Sequence, residues 1–159
     1  MVMLVDTNTL SRVFDENNAE HAEFRPVKEW FTSHGCFVFG GTKYKQELAK
    51  ANYLRLFNLY KDRRKIISIS DIEVNRLEKA IALKVDHNCD DQHLLAILVA
   101  SNCSLVCSKD ARAFHYFSKI RNYCTGAPSV KIYSRSKNKT LLPNPSETAK
   151  RKSKLNNVL

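Results

Sequence analysis

This chain reads as an α/β protein built on a mainly parallel sheet with helices on both faces. Two observations lead there. Short apolar runs recur along the sequence, and segments with apolar residues at helical spacing separate them. Strands that alternate with helices are joined by right-handed crossovers, so neighbouring strands run parallel and helices cover the sheet. A third observation sets the scale: 159 residues with 43% apolar content suffice for one sizeable core, and that length argues for one domain rather than two.

Taken in order, LVDTN (residues 4 to 8) is the first strand with its exit, and a helical turn follows over Leu10 to Phe14. Phe24 to Phe31 form a second helix that stops at Gly35, and Cys36 to Phe39 form the second strand, ended by Gly40 and Gly41. From Thr42 onward, Leu48, Ala51, Leu54, Leu56, Phe57, Leu59 and Tyr60 predict one long amphipathic helix. IISIS (66 to 70) is the third strand, and Asp71 is the expected N-cap of a helix through Leu83. Asp90 or Asp91 begins another helix, DDQHLLAILVAS, and SLVCS (104 to 108) is the fourth strand, ending at Asp110. A helix from Ala111 to about Tyr123 and a fifth strand, VKIYS (130 to 134), complete a domain over residues 1–135. From residue 136 to 159 the character changes: Pro143, Pro145, no aromatic residue, and six Lys or Arg against one Glu. That basic tail is expected to be flexible or only loosely docked.

Lys and Arg outnumber Asp and Glu by 26 to 16, a formal net charge of +10, so a polyanion is the natural partner. No apolar run approaches the roughly 18 residues of a membrane span, and no basic segment leads into an apolar signal region. A cytoplasmic address without a membrane partner is therefore expected. Cys36, Cys89, Cys103, Cys107 and Cys124 are odd in number and form no CxxC pair. Reduced, mostly buried thiols are expected rather than a disulfide framework or a zinc site.

Four acids fall at corresponding places. Asp6 follows the first strand, Glu47 lies in the first turns after the second, Asp91 opens a helix, and Asp110 follows the fourth strand. In a parallel sheet these ends share one edge, where α/β proteins bind ligands. Each acid alone has an ordinary reading, as a helix cap or a solvated side chain. Together they imply more. Carboxylates about 4 Å apart repel by roughly 4 kcal/mol at an effective dielectric near 20, so a converging set needs a cation. Oxygen-only ligation suits Mg²⁺ or Mn²⁺ beside substrate phosphate oxygens, and the implied chemistry is phosphodiester hydrolysis by an activated water.

VDTN at 5 to 8, Glu47 in KYKQELAKA, DDQHLLAILVA at 90 to 100 and SLVCSKDARAF at 104 to 114 together resemble the PIN-domain nucleases, which include the toxin ribonucleases of bacterial toxin-antitoxin pairs. The resemblance spans about residues 2 to 135. It implies a three-layer α/β/α sandwich around a five-stranded parallel sheet and metal-dependent RNA cleavage leaving a 5'-phosphate and a 3'-hydroxyl. Asp6, Glu47, Asp91 and Asp110 would be the acidic quartet, Asn8 and Ser108 the small polar residues that orient it, and Asp90 a supporting acid or a helix cap. A cognate antitoxin and a homodimer are the partners the resemblance suggests besides RNA. Many toxin members carry a further acid three residues after the Asp110 position, where this chain has Ala113.

His93 lies two residues beyond Asp91 and is expected on a different side of the helix, in a structural or supporting place. Lys43, Lys45, Lys50, Arg63 and Arg64 crowd one helix and its exit, where they either line a solvated face or track a nucleic-acid backbone. Tyr44, Tyr53 and Tyr60 read as core or rim residues rather than stacking platforms. Two rival functions use the same residues. DTNTL also resembles the opening of the haloacid-dehalogenase phosphatases, DxDxT, but Asn8 stands where the second Asp must donate a proton. A non-catalytic RNA-binding module would use the net charge, yet gains nothing from four acids facing phosphate.

Overall fold

Parallel strands covered on both faces bury their residues without alternation, and the three central strands of this chain do so. Met3, Leu4 and Val5 are fully buried, as are Val106 and Cys107. The computed structural model describes residues 1–144. Its strands β1 (Val2–Val5), β2 (Cys36–Gly40), β3 (Ile66–Ile69), β4 (Leu105–Cys107) and β5 (Lys131–Tyr133) form one sheet in the order β3-β2-β1-β4-β5. All four pairings are parallel. Around it lie α1 (Leu10–Phe14), α2 (His21–Ser33), α3 (Thr42–Lys50), α4 (Leu54–Asp62), α5 (Asp71–Ala82), α6 (Gln92–Ala100), α7 (Phe114–Ser118) and α8 (Ile120–Tyr123). The result is the three-layer α/β/α sandwich that the alternation predicts.

The two faces are filled differently. Phe37 and Phe39, two residues apart on β2, point to the same face. There Phe31 of α2 stacks on Phe37 at 4.1 Å and Phe57 of α4 on Phe39 at 5.7 Å. Phe14, Tyr53 and Tyr60 extend this aromatic cluster, so the latter two tyrosines belong to the core and its rim. Such ring pairs add about 0.5–1.5 kcal/mol beyond simple burial. By contrast α6 is buried on every side from His93 to Leu98. A helix apolar all round belongs in the interior, and this one packs against α5, α3, β1 and β2.

Four expectations are corrected. The helix begun at Thr42 does not run to Tyr60: α3 stops at Lys50, Asn52 takes a left-handed φ of 64°, and α4 starts afresh at Leu54. Asn tolerates that conformation, so the chain turns there and the two halves serve different neighbours. Ser70, not Asp71, is the N-cap of α5, its Oγ accepting from Glu73 N at 3.4 Å. Asp71 instead accepts from Gly41 N at 2.9 Å and Lys45 Nζ at 2.8 Å, holding the β2–α3 turn, where Gly41 has a φ of 82°. The helix after Ala111 is two short pieces, α7 and α8, meeting at Lys119.

The fourth correction concerns the tail. Residues 136–141 form a 3-10 segment, and Ser136 donates to Glu23 through both N–H (2.7 Å) and Oγ (2.8 Å). Trp30 Nε1 and His34 Nε2 both donate to Pro143 O, at 3.2 and 2.9 Å. The start of the tail is therefore docked on α2. Pro145 to Leu159 lie outside the described residues. Cys89, Cys103 and Cys107 are buried, Cys36 and Cys124 half-buried, and all five are unpaired. No helix among the described residues is long and apolar enough to cross a membrane.

Candidate functional site

The strand order reverses at β1, with β2 on one side and β4 on the other, the kind of switch point at which α/β sheets place a ligand crevice beyond the carboxyl ends of the strands. The register of β1 on β4 aligns Leu4 with Val106 and Val5 with Cys107. One step further along each strand stand Asp6 and Ser108. Asp6 N donates to Cys107 O at 2.9 Å, continuing the ladder, and Ser108 Oγ donates to Asp6 Oδ2 at 2.9 Å. The same hydroxyl accepts Asp110 N at 3.2 Å, so one fully buried serine ties two of the acids together. Asp6 Oδ1 accepts Asn8 N at 3.2 Å and caps the short 3-10 turn Thr7–Thr9. The opening acid thus both caps and faces the crevice. Asn8 contributes its backbone, while its side chain is exposed.

Glu47 arrives from α3. Tyr44, completely buried, donates its hydroxyl to Val5 O at 2.6 Å and so pins α3 to the end of β1. Glu47 lies three residues on, on the same helical face. Its Oε2 accepts Thr7 Oγ1 and is met by His93 Nε2, both at 3.0 Å. His93 is only 2% exposed, and its Nδ1 has no partner among the described residues. A proton on Nε2 satisfies the contact and leaves only a lone pair unpaired. His93 therefore supports Glu47 directly, which its spacing from Asp91 does not suggest. The reason is local: Asp91 sits at the N-cap position with φ −109° and ψ 25°, outside the helix, so helical spacing does not apply between them.

Asp91 occupies that cap position, yet its carboxylate makes no capping hydrogen bond. Burial, then the charges of Asp6, Asp110 and Glu47, push its pKa up to about 6, against the pull of His93. Asp6 is raised chiefly by its burial, with Glu47 and Asp110 adding to it, although the bonds from Ser108 and Asn8 oppose the shift. Glu47 goes the other way: burial penalises its charge, but hydrogen bonding by His93 and Thr7 outweighs that and lowers its pKa. Asp110 is lowered by Arg112, whose Nε and Nη2 grip its two oxygens at 3.1 and 2.9 Å. Asp6 and Asp91 each feel the charges of Glu47 and Asp110, Asp91 feels Asp6 as well, and Asp91 is the one of the four left without a hydrogen-bond donor among the described residues. Among the described residues, no group of three or more His, Cys, Asp or Glu side chains is arranged to hold a metal ion. Two of the four are engaged elsewhere, Glu47 by Thr7 and His93, Asp110 by Arg112.

The remaining candidates divide by edge. Lys43 Nζ donates to Asp90 O at 2.9 Å and so stands at the acidic edge, whereas the Asp90 side chain is exposed. Lys45 is held by Asp71 and lies over the Phe39 ring at 5.5 Å. Lys50 ends α3, and Arg63 and Arg64 precede β3, at the opposite edge of a parallel sheet from Asp6. Thr7 and Arg112 are the residues that sequence reasoning missed. Thr7→Val, which keeps the shape and removes the hydroxyl, should cost about 1 kcal/mol, read as a lower urea midpoint. An unchanged midpoint would mean that the bond to Glu47 adds nothing. Comparison with protein-family models, curated proteins and solved structures finds no match.

Proposed function

We propose that this protein is a metal-dependent endoribonuclease of the PIN-domain kind, cutting RNA at the crevice above β1 and β4. The observation that carries the reading is the electrostatic coupling of Asp6, Glu47, Asp91 and Asp110 at one sheet edge, with Ser108 joining Asp6 to Asp110. The donor set fits a hard divalent cation: all four are carboxylates, and Asp91 is a half-buried acid whose charge lacks a donor. Asp6, Asp91 and Asp110 would hold Mg²⁺ or Mn²⁺. Such an ion, when bound, acidifies water and shields a phosphate.

The chain's own residues supply the rest. Glu47 is held ionised, with Oε2 committed to Thr7 and His93, which leaves Oε1 to accept a proton from the attacking water. Oxygen of that water bonds to phosphorus, the P–O3' bond breaks in line, and O3' takes a proton from solvent. Ser108 and the Asn8 N–H keep Asp6 in one orientation throughout. Lys43 and the net charge of +10 favour a polyanionic substrate.

Incubation with mixed RNA and DNA in Mg²⁺, Mn²⁺ or chelator, with mapping of the product ends, tests the reading directly. RNA fragments with 5'-phosphates, formed only with metal, are expected. Intact RNA under all conditions, or cleavage that persists in chelator, would overturn it. Removing residues 145 to 159 deletes Lys150, Arg151, Lys152 and Lys154 but leaves the docked segment in place. That truncation should flatten the slope of log K against log salt for single-stranded RNA by up to about 3. An identical slope would assign the tail to another task.

A further inference from the structure

We propose that Arg112 is a two-position residue, clamping Asp110 when no cation is bound and gripping a substrate phosphate in an adjoining pocket when one is. The proposal rests on the reading that the substrate is a nucleic acid. The pocket, about 560 Å³, lies between the segment before α6 and the start of α7, lined by His87, Asn88, Asp90, Arg112, His115 and Tyr116. Its volume falls in the range of small-ligand sites. It adjoins the crevice through the chain itself, since Asp90 lines the pocket and the next residue is Asp91. Three of its six lining side chains carry a guanidinium or an imidazole, and Asp90 is the one acid among them. Tyr116 commits its hydroxyl to Asp86 Oδ1 at 2.7 Å, and the His115 ring lies 3.8 Å from its own, so this wall is built.

Arg112 belongs to both places. Its fork holds both oxygens of Asp110, yet its side chain is 85% exposed, so it leaves that pairing without unburying anything. The guanidinium fork occupies the inward lone pairs of both Asp110 oxygens, and a divalent cation on the same carboxylate both competes for those lone pairs and repels the guanidinium charge. A cation at Asp110 therefore displaces Arg112, and the freed guanidinium stays tethered in the pocket it lines. There its planar fork matches two oxygens of a phosphate, which a lysine cannot do. Two effects of opposite sign follow on its removal: tighter metal binding and weaker nucleic-acid binding.

Both are measured without turnover. Mn²⁺ alone, titrated by the paramagnetic resonance signal of the free ion, should bind Arg112→Ala about threefold more tightly than the parent, the scale of an exposed ion pair. In a Glu47→Gln background with Mn²⁺, a labelled single-stranded RNA should bind about tenfold more weakly once Arg112→Ala is added, read by anisotropy. Arg112→Lys should not restore that affinity. His115→Ala should weaken RNA binding and leave Mn²⁺ affinity unchanged. Mn²⁺ binding that is unchanged or weaker in Arg112→Ala, or RNA binding that is unchanged, would overturn the proposal. The opposed shifts in a protein that cleaves no nucleic acid would keep the pocket and refute the nuclease reading. Cleavage with no effect of Arg112→Ala on either ligand would do the reverse.

Discussion

Asp6→Asn is expected to lower metal-dependent RNA cleavage by about a hundredfold to a thousandfold while raising the melting temperature. The two effects share one cause. Asp6 is only 3% exposed, and its charge is opposed by burial and by Glu47 and Asp110. An amide in its place keeps an oxygen for the Asn8 N–H, and the Ser108 hydroxyl turns to accept from the new amide nitrogen. The fold loses a penalty and the site loses its most central hard donor. Asp110→Asn should be equally inactive with the opposite sign in stability, because Asp110 is favourably paired with Arg112 and held below its ordinary pKa. Cleavage assays with Mn²⁺ and thermal melts in chelator read both quantities. Full activity in both variants would remove the chemistry from this crevice.

Asp91→Asn should melt higher than the parent in chelator at pH 7.5, by roughly 4 °C, and the advantage should disappear near pH 4. The folded carboxyl ionises at about 6, the unfolded one near the ordinary value of about 3.9. Below about pH 4 both states keep the proton and nothing is lost. Between these values the unfolded chain releases its proton first, so stability falls as pH rises, and above about pH 6 the loss is complete. Discounted for the partial exposure of the side chain, the penalty is on the order of 1–2 kcal/mol, and each kcal/mol moves the midpoint about 2–4 °C at this size. Asparagine carries no such penalty. Millimolar Mg²⁺ or Mn²⁺ should then raise the parent's midpoint more than the variant's, since a ligand that binds only the native state stabilises it by mass action. A capping role alone forecasts equal midpoints at every pH, with or without metal, because Asn caps as well as Asp.

The sheet was legible because buried parallel strands read as unbroken apolar runs, and all five lie where such runs do, within a residue or two. The helix breaks were less so. Apolar spacing from Leu48 to Tyr60 is continuous, and only the tolerance of Asn52 for a left-handed backbone marks the turn. Ser70-x-x-Glu73 did carry the spacing of a capping box, a signal that outranks the acid beside it. At the site, Asp6 and Ser108 meet because both stand one residue past paired strand ends. Thr7 depends on how a three-residue turn aims one hydroxyl, and no pattern encodes that. Nor does net charge say which edge a lysine or arginine occupies, which is why Lys43 stands beside the acids and Arg63 and Arg64 do not.

The central place of β1 has a consequence for how the protein is made. β1 leaves the ribosome before the other strands of its sheet, and β2 follows as its neighbour on one side, with β3 beyond it. Its other neighbour, β4, comes only at Leu105. At about 5–20 residues per second, one edge of β1 stays unpaired for several seconds after β3 has emerged. Asp6 meanwhile lacks Ser108, its partner 102 positions away, and lies far along the chain from Asp91 and Asp110. A chain halted before that point carries the first acid and none of the geometry around it, so the crevice is armed only once β4 and Asp110 have emerged.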